Sequence, residues 1–308
     1  MTHLTAERKS PATIRTYTAG VAAYRRWLSH SPVANSPRRG RNATADATGN
    51  GPDLGSILSR ASVEAFTAHL LVSGLEPATA KARQRGVRRF SAWLAAEGPE
   101  RGGIERDELT GMSPPKLDDK IPPALDSNQV KLLLATCNSS EFHDVRDEAI
   151  IRIMVESMVR SAELLAMTVP DVDIRNGTAV IRRGKGGKGR LVGFGPQTAR
   201  SLDRYSRARR RHLLAARREF WLADRQRVMS YTALYHTLSR RGDRCGFHLS
   251  PHMLRATGAI RWREKGGSVP GLLTMAGWGS IEMAARYVKA AESRLAVDEA
   301  RRLGLDDL

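Results

Sequence analysis

The chain has 308 residues, 41% of them hydrophobic and 27% charged, and its two cysteines are Cys137 and Cys245. This composition fits a packed protein of about two domains and excludes a disordered chain, a disulfide scaffold and a cysteine-based zinc site. The 50 Lys and Arg against 32 Asp and Glu leave a formal charge of +18, which repels itself in a compact fold unless a polyanion neutralises it.

The excess is concentrated, since residues 201–270 hold 16 Lys and Arg and 5 Asp and Glu. A membrane surface calls for aromatic anchors on an amphipathic helix, and aromatics make up 6% of the chain, so nucleic acid is the better-fitting partner. Arg outnumbers Lys 41 to 9, and guanidinium forks suit bidentate phosphate contacts. No apolar run approaches the ~18 residues that span a bilayer. The opening MTHLTAERKS has no signal-peptide core, so a cytoplasmic protein without membrane attachment is expected.

In chain order, Ser10-Pro11 is a cap and first-turn pair, followed by Ile14, Tyr17, Val21, Tyr24 and Leu28 at helical spacing. Residues 31–56, SPVANSPRRGRNATADATGNGPDLGS, have no apolar period and read as a loop. A helix then runs from Ser62 through Phe66 and Leu70, and another over about 77–96 packs through Val87, Phe90 and Leu94. The polar face of the latter carries Lys81, Arg83, Arg85, Arg88 and Arg89, candidates for DNA phosphate contacts or a solvated face. Residues 113–124, SPPKLDDKIPPA, hold two Pro-Pro pairs and predict a stiff linker between a helical domain over 1–112 and a larger one over 125–308.

The second domain opens with Ser127 as the expected cap of a helix through Val130, Leu133 and Leu134. A longer helix follows, with Val145, Ile150, Ile153, Met154 and Met158 facing a core. TAVIRR and RLVGF flank GKGGKG and predict a β-hairpin, and everything after Pro196 reads as helical. The expected fold is therefore mainly α with a small antiparallel sheet, an α-helical domain followed by an α+β one.

Singly, the polar motifs say little. His252 and Arg255 lie three apart and share a helix face. Gly184-Lys185-Gly186 lacks the spacing of a nucleotide-binding loop. Asp171 and Asp173 read as turn residues rather than magnesium ligands. In order, however, Arg160 with Glu163, Lys185 in a hairpin turn, His252-x-x-Arg255, Ala276-Gly277-Trp278 and Tyr287 nine residues after Trp278 resemble the tyrosine recombinase (phage integrase) family over about residues 127–288.

That resemblance implies a two-domain recombinase without an arm-binding domain, its first domain a core-binding (SAM-like) DNA-binding domain and its second the catalytic one. It implies site-specific strand exchange on double-stranded DNA with inverted half-sites, through a 3′-phosphotyrosyl bond and without metal, nucleotide or other cofactor. Integration, excision or transposition of a mobile element is the expected role. A type IB topoisomerase-like enzyme and an inactive DNA-binding relative are the alternatives. The implied roles are Tyr287 as nucleophile, Arg160 and Arg255 as phosphate clamp, His252 as proton acceptor or phosphate donor, Lys185 as acid for the leaving 5′-oxygen, and Glu163 as support. Lys188 is the alternative lysine or a DNA contact. Trp278 stands where many members carry histidine; its indole N–H can donate to a phosphate oxygen but transfers no proton. After Tyr287, Leu295, Ala296, Ala300 and Leu303 form a helical stripe. This either packs on its own domain or, as the resemblance implies, docks on a neighbour in a homo-tetramer on DNA.

Overall fold

The structure, a computed structural model, describes residues 2–30, 57–118, 120–182, 189–224 and 227–303. The loop expected over 31–56 and the turn carrying Lys185 and Lys188 lie outside those residues. The fold is mainly α, 63% helical, with small antiparallel sheets. The chain divides into two units, residues 1–119 and 120–308.

The first unit holds helices α1 (Thr2–Ala6), α2 (Pro11–His30), α3 (Arg60–Val72) and α4 (Pro77–Glu97). Proline at the first position starts both α2 and α4, where its missing N–H has no helical partner to lose. Ser59 caps α3 by accepting from the Ser62 backbone N–H. Tyr24, Val63, Phe66, Leu70, Val87 and Leu94 form the core with Leu109 and Met112, each worth roughly 1.5–3 kcal/mol when buried. On α4, Arg85 and Arg89 are exposed and Lys81 and Arg88 half-buried along one side. Arg83 departs from the expected face. It lies on the opposite side of α4 and lines a cavity of about 440 Å³ with Arg26, Trp27, His30 and His69.

The second unit begins with α5 (Ser127–Ala135) and α6 (Phe142–Ser157). The cap of α5 is Asp126, not Ser127; its carboxylate accepts from Asn128 and Gln129, and the Gln129 side chain returns to its N–H. The helical pattern through Met158 does not continue as one helix. Met158 adopts a left-handed conformation (φ 54°), ending α6, and α7 (Ser161–Leu165) starts afresh at Arg160. Strands β1 (Val172–Asp173), β2 (Thr178–Ile181) and β3 (Arg190–Gly193) form an antiparallel sheet in that order, with Ala179 opposite Val192. Asp171 accepts from the Thr168 N–H and hydroxyl, and Asp173 from the Asn176 N–H, both as turn residues.

Helices α8 (Pro196–Arg210), α9 (Tyr231–Asp243), α10 (Pro251–Glu264), α11 (Val269–Ala276) and α12 (Ile281–Leu303) follow. The region after Pro196 is not wholly helical, because β4 (Leu222–Ala223) pairs with β5 (Arg227–Val228). One core packs α5, α6, α8 and α9 around the three-stranded sheet, through Ile150, Ile153, Tyr205 and Trp221 among others. Within it Arg241 bonds Asp144 at 2.6 Å and Asp147 at 2.7 Å, a buried ion cluster.

A second cluster joins α10, α11 and α12 around Met158 and Tyr287, with Ala256, Ala259, Ala276, Ala284, Ala290 and Ala291. These small side chains let the helices approach closely. Gly258 takes this furthest, since a Cβ there would lie 2.0 Å from the Val155 carbonyl oxygen. The close approach sets α10, and with it His252 and Arg255, against the end of α6. The stripe after Tyr287 is no separate helix. It continues α12, and Leu295, Val297 and Leu303 on it are exposed.

Candidate active site

Three arginines from different elements converge on the C-terminal end of α11. The last carbonyls of a helix have no intrahelical donor and carry the negative end of its dipole. Arg190 Nε donates to Met275 O at 3.0 Å, Arg255 Nη2 to Ala276 O at 2.7 Å, and Arg160 Nη2 to Gly277 O at 2.9 Å. Gly277 makes this possible. It closes α11 in a left-handed conformation (φ 62°), turning the chain towards Trp278.

Glu163 is the carboxylate within this cluster. Its oxygens accept from the Arg160 backbone N–H at 2.9 Å, from Arg160 Nη1 at 2.7 Å, and from both Arg190 terminal nitrogens at 3.0 and 2.8 Å. Burial pushes its carboxyl up. The hydrogen bonds from Arg190 and from the Arg160 backbone and side chain outweigh burial and hold it at about 2. Glu163 is thus ionised and fixed, which suits orientation of the two guanidiniums rather than proton transfer.

Arg255, 4% exposed, also donates to the Met158 carbonyl, so the left-handed break that ended α6 supplies an acceptor to the site. Burial pushes its guanidinium down to about 10, with Arg160 and Arg190 adding to the effect against Glu163 and Tyr287. Three cations around one carboxylate leave a surplus that a phosphate would neutralise. A guanidinium has five N–H donors, and Arg160 and Arg255 each engage protein carbonyls or Glu163 with only part of theirs.

Tyr287 lies on α12 with its ring stacked on Trp278, centroids 4.8 Å apart and planes 15° from parallel. The Arg255 guanidinium sits 5.2 Å from the centroid of the same Trp278 ring. The Tyr287 hydroxyl is 3.5 Å from His252 Nε2, the outer limit of a hydrogen bond, and accepts from Arg286 Nη2 at 3.2 Å. Partial burial, then Arg286 and Arg255, push the His252 imidazole below its ordinary value, which favours the neutral ring. Neutral imidazole with a free Nε2 can accept the phenolic proton.

Of the residues read from the sequence, Arg160, Glu163, His252, Arg255, Trp278 and Tyr287 share one neighbourhood of the second unit. Lys185 and Lys188 lie outside the described residues, and Lys81, Arg83, Arg85, Arg88 and Arg89 belong to the first unit. Sequence reasoning missed Arg190 and Arg286. A basic residue opening β3, and another beside the motif tyrosine, were the available signals, but each was one arginine among 41.

The sequence model of the Phage integrase family matches residues 123–294. The tyrosine recombinase XerA of Thermococcus kodakarensis is 27% identical over 298 residues, covering 96% of this chain and 90% of that protein. The tyrosine recombinase XerD of Ralstonia nicotianae is 29% identical over 221 residues, covering 70% of each. Among solved structures, the XerH site-specific recombinase bound to palindromic difH substrate in a post-cleavage complex shares the fold. The TM-score is 0.72 at 18% identity, over 93% of this chain and 79% of that one.

Proposed function

Because the chain belongs to the phage integrase family, and is accordingly a site-specific recombinase of the tyrosine class, we propose that it cuts DNA with Tyr287 and rejoins it through a 3′-phosphotyrosyl bond. In this reading the Tyr287 oxygen attacks phosphorus and its proton passes to His252. Arg160 and Arg255 hold the non-bridging oxygens and stabilise the charge added in the pentacoordinate transition state. Lys185 protonates the leaving 5′-oxygen, and Trp278 donates its indole N–H to a phosphate oxygen. The covalent bond conserves the energy for religation to a partner strand, so no nucleotide or metal enters the scheme.

The observation that carries this reading is the Tyr287 hydroxyl 3.5 Å from His252 Nε2, on a ring stacked against Trp278, the same indole that the Arg255 guanidinium meets. The partner is double-stranded DNA with inverted half-sites, and Lys81, Arg85, Arg88 and Arg89 contact its phosphates from the first unit. Strand exchange needs four cleavages, so the assembly is a tetramer. The exposed Leu295, Val297 and Leu303 of α12 support contact with another copy. Likeness to Xer recombinases favours chromosome dimer resolution as the role, over the movement of a mobile element.

The test begins by selecting half-sites from a randomised DNA pool on the Tyr287→Phe protein. Nicked suicide duplexes of the selected sequence should become covalently attached to the wild type and not to Tyr287→Phe. Two plasmids bearing the site should yield exchanged products. Binding without an adduct would assign the chain to the inactive relatives, and relaxation without exchange to topoisomerase chemistry. Failure to enrich any half-site would remove the DNA-recognition reading itself.

A further inference from the structure

Arg286 precedes Tyr287 on α12, and neighbouring helical residues point about 100° apart. A contact between them therefore requires the longer side chain to fold back. Arg286 does so, placing Nη2 3.2 Å from the phenolic oxygen and its guanidinium carbon 4.9 Å from the ring centroid. Its geometry differs from that of Arg160 and Arg190, which bond the Glu163 carboxylate.

We propose that Arg286 is a catalytic residue of the cleavage step, its guanidinium stabilising the negative charge that develops on the Tyr287 oxygen as the proton departs. The proposal rests on Tyr287 being the nucleophile. The phenolic O–H bond breaks and its proton moves to His252 Nε2. The oxygen then forms the new bond to phosphorus, and the electrons of the broken P–O bond go to the 5′-oxygen, which takes up a proton. Arg286 donates a hydrogen bond throughout and exchanges no proton.

The surroundings of the phenol explain why a cation there matters. His252 faces it from α10 and Arg286 from its own helix, while Arg255 of α10 meets the Trp278 indole on which the phenol stacks. Glu163, Arg160 and Arg190 are grouped with Arg255. Arg255 directs donors to the Met158 and Ala276 carbonyls, whereas Arg286 is bonded to the phenolic oxygen itself. A free phenol titrates near 10, whereas the His252 imidazole is pushed below its ordinary value, so the proton moves uphill. A charge-assisted bond to the forming phenolate narrows that gap, in the same way that a fixed donor stabilises an oxyanion.

The probe is the suicide duplex of selected half-sites, at saturating concentration, with wild type, Arg286→Ala and Arg286→Lys compared. Arg286→Ala should form adduct about 10- to 100-fold more slowly. Arg286→Lys should recover part of the rate. DNA affinity, measured with Arg286→Ala added to Tyr287→Phe, should stay within about twofold, since one lost phosphate contact would weaken it further.

A wild-type rate in Arg286→Ala, an Arg286→Lys rate no faster than that of Arg286→Ala, or a loss accounted for by DNA affinity would each overturn the assignment. If the wild type itself forms no adduct, the nucleophile reading fails instead. A normal wild-type adduct beside an unimpaired Arg286→Ala removes only the role of Arg286.

Discussion

Arg190 meets Glu163 with a full fork, Nη1 on Oε1 at 3.0 Å and Nη2 on Oε2 at 2.8 Å, while Arg160 bonds Oε1 of the same carboxylate at 2.7 Å. Breaking a buried pair exposes the remaining partner to an uncompensated environment, which outweighs what the pair contributes in isolation. Arg190→Ala should lower unfolding stability by about 3 kcal/mol, read from urea titration. Arg190→Lys should recover less than half of the loss, because an ammonium cannot form the fork. An unchanged urea midpoint in Arg190→Ala would show that Arg160 alone suffices to hold Glu163.

Glu163 also sets an acid limit. Its folded carboxyl titrates at about 2, below its ordinary 4.5, so protonation favours the unfolded chain. The stability contributed is full above about 4.5 and is lost as pH falls towards 2. Asp144 behaves likewise. Burial pushes it up, but hydrogen bonds from Arg241 and Ser139 hold it at about 2. Melting temperature measured between about pH 6 and pH 2 should fall most steeply below about 4.5. The slope should flatten in Glu163→Gln and in Asp144→Asn, each already destabilised at neutral pH. Parallel curves for wild type and Glu163→Gln would contradict the assigned ion pairs.

The legibility of the site followed from the range of its contacts. His252 and Arg255 were paired from sequence because three residues on one helix bring them together, and the β2–β3 pairing followed from two β-type runs around glycines. Arg190 could not be found that way. Its partner Glu163 lies 27 residues before it and its acceptor Met275 85 residues after it. The break at Met158 was equally hidden, since apolar periodicity runs through Met158 and Val159 while the backbone turns left-handed. That turn frees the Met158 carbonyl for Arg255, so an irregularity invisible in hydrophobic spacing positions one of the clustered guanidiniums. The two-residue strands β1, β4 and β5 are likewise too short to show a period.

Gly277 offers a separate test of the converging arginines. Its φ of 62° costs a residue with a Cβ about 1 kcal/mol, and that Cβ would lie 2.7 Å from Arg190 Nη1. Gly277→Asn tolerates the left-handed backbone but keeps the Cβ. If strain alone matters, Asn should be nearly neutral; if displacement of Arg190 matters, Asn and Ala should both be destabilising. We expect the second result, a loss of about 2–4 kcal/mol for each variant in urea titration. In an Arg190→Ala background the penalty should fall to about 1 kcal/mol for Ala and less for Asn.

Trp278 combines a stacking surface for Tyr287 with an indole N–H, and these two properties separate by substitution. Phenylalanine keeps most of the surface and removes the donor. Histidine keeps a donor and loses surface. If the indole N–H binds a phosphate oxygen during cleavage, Trp278→Phe should keep stability within about 1 kcal/mol and slow adduct formation about 10- to 100-fold. Trp278→His should then be less stable, by about 1–2 kcal/mol, and faster than Trp278→Phe at saturating DNA. The reverse order of rates would assign the indole to packing alone. Tyr287 would then owe its position to an aromatic platform 4.8 Å away, and the phosphate to the guanidiniums without a neutral donor. Because stability and rate are predicted to move in opposite senses between the two variants, general damage to the fold cannot mimic the expected pattern.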